Sequence, residues 1–316
     1  MNILICGDAG YIGSHMLRRL LRDGHGVVML DNLSSGHRAA VQGCELVVGD
    51  LLDAPLLKRV FVRHRFDAVM HFGAKSLVAE SVREPDAYYR NNVGGTLDLL
   101  AAMRAHDVQR LVFSSTAAVY GMPLTNTIDE DHPRNPISPC GRSKMMVEDI
   151  LRDAARAHGL RSVSRRYFNA AGASADASIG DAHEPETHLI PNVLRAAAAG
   201  AAPLPVYGTD YPTRDGTCVR DYVHVEDLAD AHLAAHDGAH AINSAGNHGT
   251  RRSNRSSIRH GAGIAAAAIE ALSLVQRGNW WRENTSMLDA KNALAMICAA
   301  SSTAASEAMY GFRNAP

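Results

Sequence analysis

Six short apolar runs recur through the first 170 residues: NILIC (2–6), GVVML (26–30), ELVVG (45–49), AVMHF (68–72), RLVFSS (110–115) and SVSRRYF (162–168). Between them stand SHMLRRLLRDG, PLLKRVFVRH, NNVGGTLDLLAAMRAHD and SKMMVEDILRDAARAHG, with apolar residues at helical spacing and a Gly, Asp or polar turn at each end. Near-continuous apolar strands alternating with helices predict right-handed βαβ units in an α/β fold with a doubly wound parallel sheet. From about 170 the alternation loosens into a polar loop (ASADASIGDAHEPETH), a helix (LIPNVLRAAAAG), the turn-rich PLPVYGTDYPTRDGTCVRDYVHV and a second helix (VEDLADAHLAAH). The pattern therefore predicts a sheet domain over 1–170 and a smaller C-terminal lobe over 171–245. A divergent segment over 246–316 follows, where an arginine-rich stretch without apolar period precedes an alanine-rich helix.

Composition narrows the partners. A hydrophobic fraction of 46% over 316 residues supports a sizeable core, and a formal net charge of −1 argues against a nucleic-acid partner. The five cysteines (Cys6, Cys44, Cys140, Cys218 and Cys298) form no C-x-x-C pair, and the sixteen histidines show no metal-ligand spacing, so neither a disulfide framework nor a metal is expected. The start MNILICGDAG lacks a basic region and its apolar run is cut by Gly7 and Asp8, which reads against a secretory signal. No apolar run approaches membrane-spanning length, so the expected setting is cytoplasmic, with no membrane partner. Lysine occurs only at 58, 75, 144 and 291, which singles out Lys144 as a position where lysine itself is required.

The chemistry-bearing pattern opens the chain. NILIC runs into Gly7-x-x-Gly10-x-x-Gly13 and then a helix, a spacing that permits a tight turn, close approach of backbone to a pyrophosphate and close helix–strand packing. Asp31 ends the second strand, where an acid binds adenosine ribose hydroxyls and repels a 2′-phosphate; this predicts NAD rather than NADP. The sheet domain is thus expected to be of Rossmann type, with GDL (49–51) at the adenine.

The GxxGxxG spacing, together with AGYIGSH, DNLSSG, HFGAKSLVAESV, YYRNNVGGT, FSSTAAVYG, RYFNAAGA and DYPTRDGTCVRDYVHVEDLADAH, resembles the UDP-glucose 4-epimerases of the extended short-chain dehydrogenase/reductase family over about residues 1–245. The resemblance implies that Tyr11 and Ile12 cap the pyrophosphate, Asp31 and Asn32 hold the ribose, and Asp50 and Leu51 meet the adenine. Phe72, Gly73, Asn91, Lys144 and Phe168 would lie along the nicotinamide half. Thr116 matches the catalytic Ser/Thr, and Asn169, His188, Leu189, Tyr207, Arg220 and Tyr222 match positions that grip the UDP part of UDP-glucose or UDP-galactose. Arg220 suits a diphosphate on its own chemistry, because a guanidinium forks onto two oxygens. A homodimer is also implied.

In SPCGRSK, Cys140 stands where the family's active-site tyrosine belongs, four residues before the lysine that lowers that tyrosine's pKa. Lys144 and a positive nicotinamide are expected to favour a thiolate at Cys140. The thiol is nonetheless several ångströms shorter than a phenol, so binding is expected to survive and turnover to fall. Other departures are Cys6 and Asp8 in the glycine turn, and the absence after about 245 of the late Arg-x-x-Asp clamp; a change of reading frame there would account for the segment. Three functions stay open: an epimerase, an inactive relative that binds NAD and UDP-sugars, and another nucleotide-sugar enzyme such as a dehydratase. The last is disfavoured, since Ala117 and Ala118 follow Thr116 where elimination needs acids.

Overall fold

A computed structural model describes residues 1–7, 9–125, 127–197, 204, 205, 208, 210, 211, 213, 216, 218, 220–237 and 244–248. Asp8, Tyr207 and the segment from 249 onward, all singled out above, lie outside the described residues.

The first half alternates as its pattern predicts: β1 (Asn2–Cys6), α1 (Tyr11–Arg22), β2 (Gly26–Asp31), β3 (Glu45–Val48), α2 (Ala54–Arg63) and β4 (Ala68–His71). Two short helices, α3 (Val78–Arg83) and α4 (Pro85–Tyr88), lead into α5 (Gly95–Ala105), β5 (Arg110–Ser114), α6 (Pro139–His158) and β6 (Arg161–Tyr167). The remainder comprises β7 (Asn169–Ala171), α7 (Leu189–Ala197), β8 (Tyr222–His224), α8 (Val225–Asp237) and β9 (Ser244–His248). Among the described residues a seven-stranded sheet runs β3-β2-β1-β4-β5-β6-β9, each neighbouring pair parallel. The order reverses between β1 and β4, and the crevice beyond the carboxyl ends of strands at such a reversal is where ligands of open α/β sheets bind.

Both faces of the sheet are buried, which is why its strands read as unbroken apolar runs. Along β1, Ile3 and Ile5 pack with Met16, Leu17 and Leu20 of α1, while Leu4 and Cys6 pack on the other face with Leu57 and Phe61 of α2 and Leu99 of α5. Among the described residues no helix is long and apolar enough to cross a membrane.

Three local outcomes differ from the pattern. The helix expected from Asn91 begins as a π-helical stretch, Tyr89–Gly94, before α5. Gly94 and Gly95 lie against Leu52 and Leu51, where a Cβ at Gly95 would come within 3.0 Å of the Leu51 Cβ. The chain divides into one compact unit of 1–168 with 226–250 and a second that includes 169–225. Residues 226–237, expected in the smaller lobe, therefore belong with the sheet, because Ala229, Leu233 and Ala235 of α8 enter the core beside Ile3 and Ile5. Finally β9, SAGNH, has no apolar alternation. Backbone pairing makes it a strand, from Val163↔Ser244 to Tyr167↔His248.

Candidate active site

The glycine turn lies at the sheet reversal. Gly7 takes φ +83° and donates its N–H to the Leu30 carbonyl at 2.8 Å. A Cβ there would sit 1.9 Å from the Gly73 Cα, so only glycine lets the loop after β1 touch the loop after β4. A Cβ on Gly10 would meet nothing within 4 Å. Helices α2 and α6 are capped by the side chains of Asp53 and Ser138, but α1 has Gly10 as N-cap and no side-chain cap. Its first-turn amides and the open backbone at Gly10 fit the diphosphate of a dinucleotide. Tyr11 and Ile12 are half-buried on this first turn, and Gly13 is buried behind it.

Asp31 is 8% exposed. Its Oδ2 accepts the Ala9 N–H at 2.9 Å and its Oδ1 the Leu33 N–H at 2.6 Å, so the carboxylate ties the glycine turn to the end of β2. Each oxygen keeps a further acceptor site for a ribose hydroxyl. The Asn32 amide donates to Asp50 Oδ2 at 2.8 Å, and buried Leu51 follows, which brings these four adenosine-side candidates to adjacent loops. After β4, the Phe72 ring lies 4.9 Å from that of His232, and Asn91 donates to the Gly73 carbonyl at 3.4 Å.

The catalytic candidates sit where β5 meets α6. Thr116 caps the turn Ala117–Tyr120, its Oγ1 accepting the Ala118 N–H at 3.1 Å. Gly141 allows this turn to lie on the first turn of α6, since a Cβ there would approach the Ala118 carbonyl to 2.6 Å. Phe168 packs against the same turn, beside Val119 and Tyr120. Lys144 is 4% exposed; its Nζ donates to the Ser114 carbonyl at 2.5 Å and lies 5.0 Å from the Phe113 ring centroid. Burial lowers the Lys144 pKa to about 8, against the opposing pull of Cys140 and Glu148.

Cys140 is 3% exposed, and its Sγ lies 3.6 Å from the Ser76 carbonyl and 3.9 Å from that of Lys75. Burial raises the thiol pKa, and the charge of Lys144 only partly opposes it. Burial thus works against the thiolate that Lys144 was expected to favour. Its sulfur is directed at backbone carbonyls, and the ammonium that would favour its ionised form is already engaged by the Ser114 carbonyl.

In the second unit, β7 and β8 pair in parallel with Asn169 opposite Tyr222. The Asn169 side chain donates to the Asp221 carbonyl at 2.8 Å. Arg220 is exposed, and its charge opposes the burial that raises the Tyr222 hydroxyl pKa. Asn169 and Tyr222 thus share one strand pair, and Arg220 precedes β8 by two residues. His188 and Leu189 stand apart at the start of α7, the imidazole Nδ1 lying 2.9 Å from Glu186 Oε1. Four residues without expected metal-ligand spacing, Asp181, His183, Glu186 and His188, bring their ligand atoms within 4.8 Å of one another.

The sequence profile of the NAD dependent epimerase/dehydratase family matches residues 3–248. The chain belongs to this family. It is 52% identical over 236 residues to the UDP-glucose 4-epimerase of Lactobacillus helveticus, covering 74% of this chain and 72% of that one. It is 51% identical over 236 residues to the enzyme of the same name from Rhizobium meliloti, covering 75% and 72%. Among solved structures, UDP-glucose 4-epimerase from Brucella ovis in complex with NAD superposes with a TM-score of 0.76 at 47% identity, over 84% of this chain and 82% of that chain. The enzyme from Bifidobacterium longum in complex with NAD+ and UDP gives 0.74 at 35% identity, over 85% and 83%.

Within this epimerase/dehydratase framework, two buried polar groups were not singled out by the sequence pattern. Asn92 accepts the Lys75 N–H at 2.8 Å, donates to the Lys75 carbonyl at 3.1 Å and donates to Ser143 Oγ at 2.9 Å. It pins the segment facing Cys140 to α6. Glu148 accepts from Ser115 Oγ at 2.6 Å and from Arg166 at 2.9 and 2.5 Å, and Arg166 donates onward to Tyr120 Oη at 2.8 Å. This network braces both sides of the Thr116 turn. The available signal was a glutamate on the buried face of α6, in line with Lys144 and Val147.

Proposed function

We propose that this chain interconverts UDP-glucose and UDP-galactose by NAD-mediated hydride transfer at the sugar C4, with Cys140 limiting the rate. The observation that carries the reading is the seating of the Thr116 turn on the first turn of α6, which gathers Thr116, position 140 and Lys144. When bound, NAD supplies a hydride acceptor and donor for the sugar carbon. The chain supplies everything else. The amides of α1 and the open side of Gly10 would hold the pyrophosphate, with Asp31 and Asn32 on the ribose and Asp50 and Leu51 at the adenine. Phe72, Gly73, Asn91 and Phe168 would flank the nicotinamide half, and Lys144 would hold its ribose.

Oxidising the C4 alcohol requires its hydroxyl proton to leave as the hydride departs. Thr116 is suited to share that proton by hydrogen bonding, but it is no base by itself. The base belongs at position 140, where a buried thiol faces the Ser76 carbonyl. A missing general base lowers the rate by about 10²–10⁴. Asn169, His188, Leu189, Tyr207, Arg220 and Tyr222 would hold the UDP portion, Arg220 as the diphosphate fork. Family resemblance also supports a cytoplasmic homodimer, which light scattering of the purified protein tests.

The state of Cys140 favours a second reading, in which the chain binds NAD and UDP-sugar with negligible turnover. Conversion of UDP-galactose by the parent and by Cys140→Tyr separates the two. Slow conversion by the parent and faster conversion by the variant support the first reading. Conversion by the variant alone supports the second, and no conversion by either, with both ligands bound, overturns the assignment of an epimerase.

A further inference from the structure

The loop before α7 carries Asp-x-His-x-x-Glu-x-His from 181 to 188, and the fold gathers all four side chains. We propose that Asp181, His183, Glu186 and His188 bind one divalent transition-metal ion, with zinc the best match for two imidazoles and two carboxylates. Their ligand atoms lie within 4.8 Å of one another. Tetrahedral zinc with bonds of about 2.0–2.1 Å needs separations of roughly 3.4 Å, a contraction that side-chain torsions supply. Two carboxylates match the charge of the ion. The imidazoles disfavour calcium and magnesium, which take oxygen donors.

Glu186 points independently to a cation. Its side chain is only 1% exposed, and its Oε2 is buried with no hydrogen-bond partner. A buried carboxylate oxygen without a donor is costly, and a bound cation removes that cost. The other oxygen is already oriented, since Oε1 accepts the N–H groups of Thr187 and His188, both at 2.8 Å. Such outer contacts fix the aim of a ligating carboxylate. The two histidines are drawn to the acids in the same way: His183 Nδ1 bonds Asp181, and His188 Nδ1 lies 3.4 Å from Asp181 Oδ2 and 2.9 Å from Glu186 Oε1. Simple His–carboxylate pairing explains these contacts but leaves Glu186 Oε2 unsatisfied.

His188 is also a proposed UDP contact, so the test rests on Asp181 and His183, which carry no role in the proposed reaction. The full-length protein is stripped with a chelator and titrated with zinc against a chromophoric competitor. The parent is expected to bind one equivalent that the Asp181→Asn/His183→Gln double variant binds at least about 100-fold more weakly. His158→Gln, an exposed histidine on α6, should bind like the parent. Cobalt in the parent should give the intense visible absorption of a tetrahedral site, weakened in His183→Gln alone, a single change that keeps the test decisive should the double variant not fold. Equal zinc affinity in parent and double variant, an unchanged cobalt spectrum in His183→Gln, or no equivalent bound by the parent overturns the proposal.

Discussion

Replacing Cys140 by tyrosine, serine and alanine separates a missing base from a substitute base. Burial pushes the Cys140 thiol pKa up, and the charge of Lys144 only partly opposes it. Its Sγ is also turned toward the Ser76 carbonyl, 3.6 Å away, instead of standing out from the helix as a phenol does. Both facts make the thiol chemically silent. Cys140→Ser and Cys140→Ala should then change turnover of UDP-galactose less than about threefold, since no transition-state contact is lost. Cys140→Tyr should raise it by about 10² or more, equal to at least roughly 2.7 kcal/mol of barrier. The Michaelis constant should move little, because the regained interaction exists only in the transition state. Lys144, already at a pKa of about 8, would lie one helical turn from the new phenol and favour its ionised form. The assay couples UDP-glucose formation to its oxidation, with NAD content and circular dichroism matched among variants. A loss of tenfold or more in Cys140→Ala, or a Tyr variant slower than the parent, would refute the reasoning and make the thiol a working base.

Removing the Arg220 side chain should weaken UDP binding by about 1.5–3 kcal/mol in calorimetry and leave NAD binding unchanged; equal loss of both would contradict a diphosphate role. Titration should show tighter binding of NAD than NADP, because a 2′-phosphate beside Asp31 meets like charge, and equal affinity would count against that role. Glu148→Leu should destabilise by about 3–5 kcal/mol in urea unfolding, since Arg166, whose side chain is 5% exposed, is left as an uncompensated charge. Adding Arg166→Met should recover part of that loss, and a further drop would argue against the pairing. His71 is fully buried, with its pKa lowered by burial and then by Lys144 to about 3. Between pH 6.5 and 3 the unfolded chain takes up a proton that the folded one refuses, so this contribution is complete above 6.5 and falls by about 1.4 kcal/mol per unit as pH drops. His71→Phe should flatten the slope of unfolding free energy between pH 6.5 and 5, and an unchanged slope would refute it.

The six strands through residue 167 were legible because a parallel sheet buried on both faces leaves little room for polar residues. The candidate catalytic elements stood out as motifs, FSSTAAVYG and SPCGRSK, but their packing did not. It depends on Gly141 lying under the Ala118 carbonyl, a contact without periodicity. The burial of Cys140 was hidden for a similar reason. Sequence shows that Lys144 is four residues away, yet only the fold shows that both groups are nine-tenths buried and that the ammonium is held by Ser114. Asn92 and Glu148 escaped notice because single buried polar residues join elements far apart in the chain. The return of 226–248 to the sheet was hidden by the weak strand character of SAGNH, whose place is set by its neighbour β6.

That last strand has a consequence for the molecule's solubility. With β9 in place, β6 is an interior strand, and its backbone groups from Val163 to Tyr167 face a partner. A chain ending before Ser244 would turn β6 into the sheet's margin, with unpaired amides and carbonyls from Val163 to Tyr167. Such a margin is a template for edge-to-edge association between copies. The five residues Ser244–His248 therefore serve as a closing selvage, protecting against self-association a sheet whose ligand crevice, between β1 and β4, is separated from them by β6, β5 and β4.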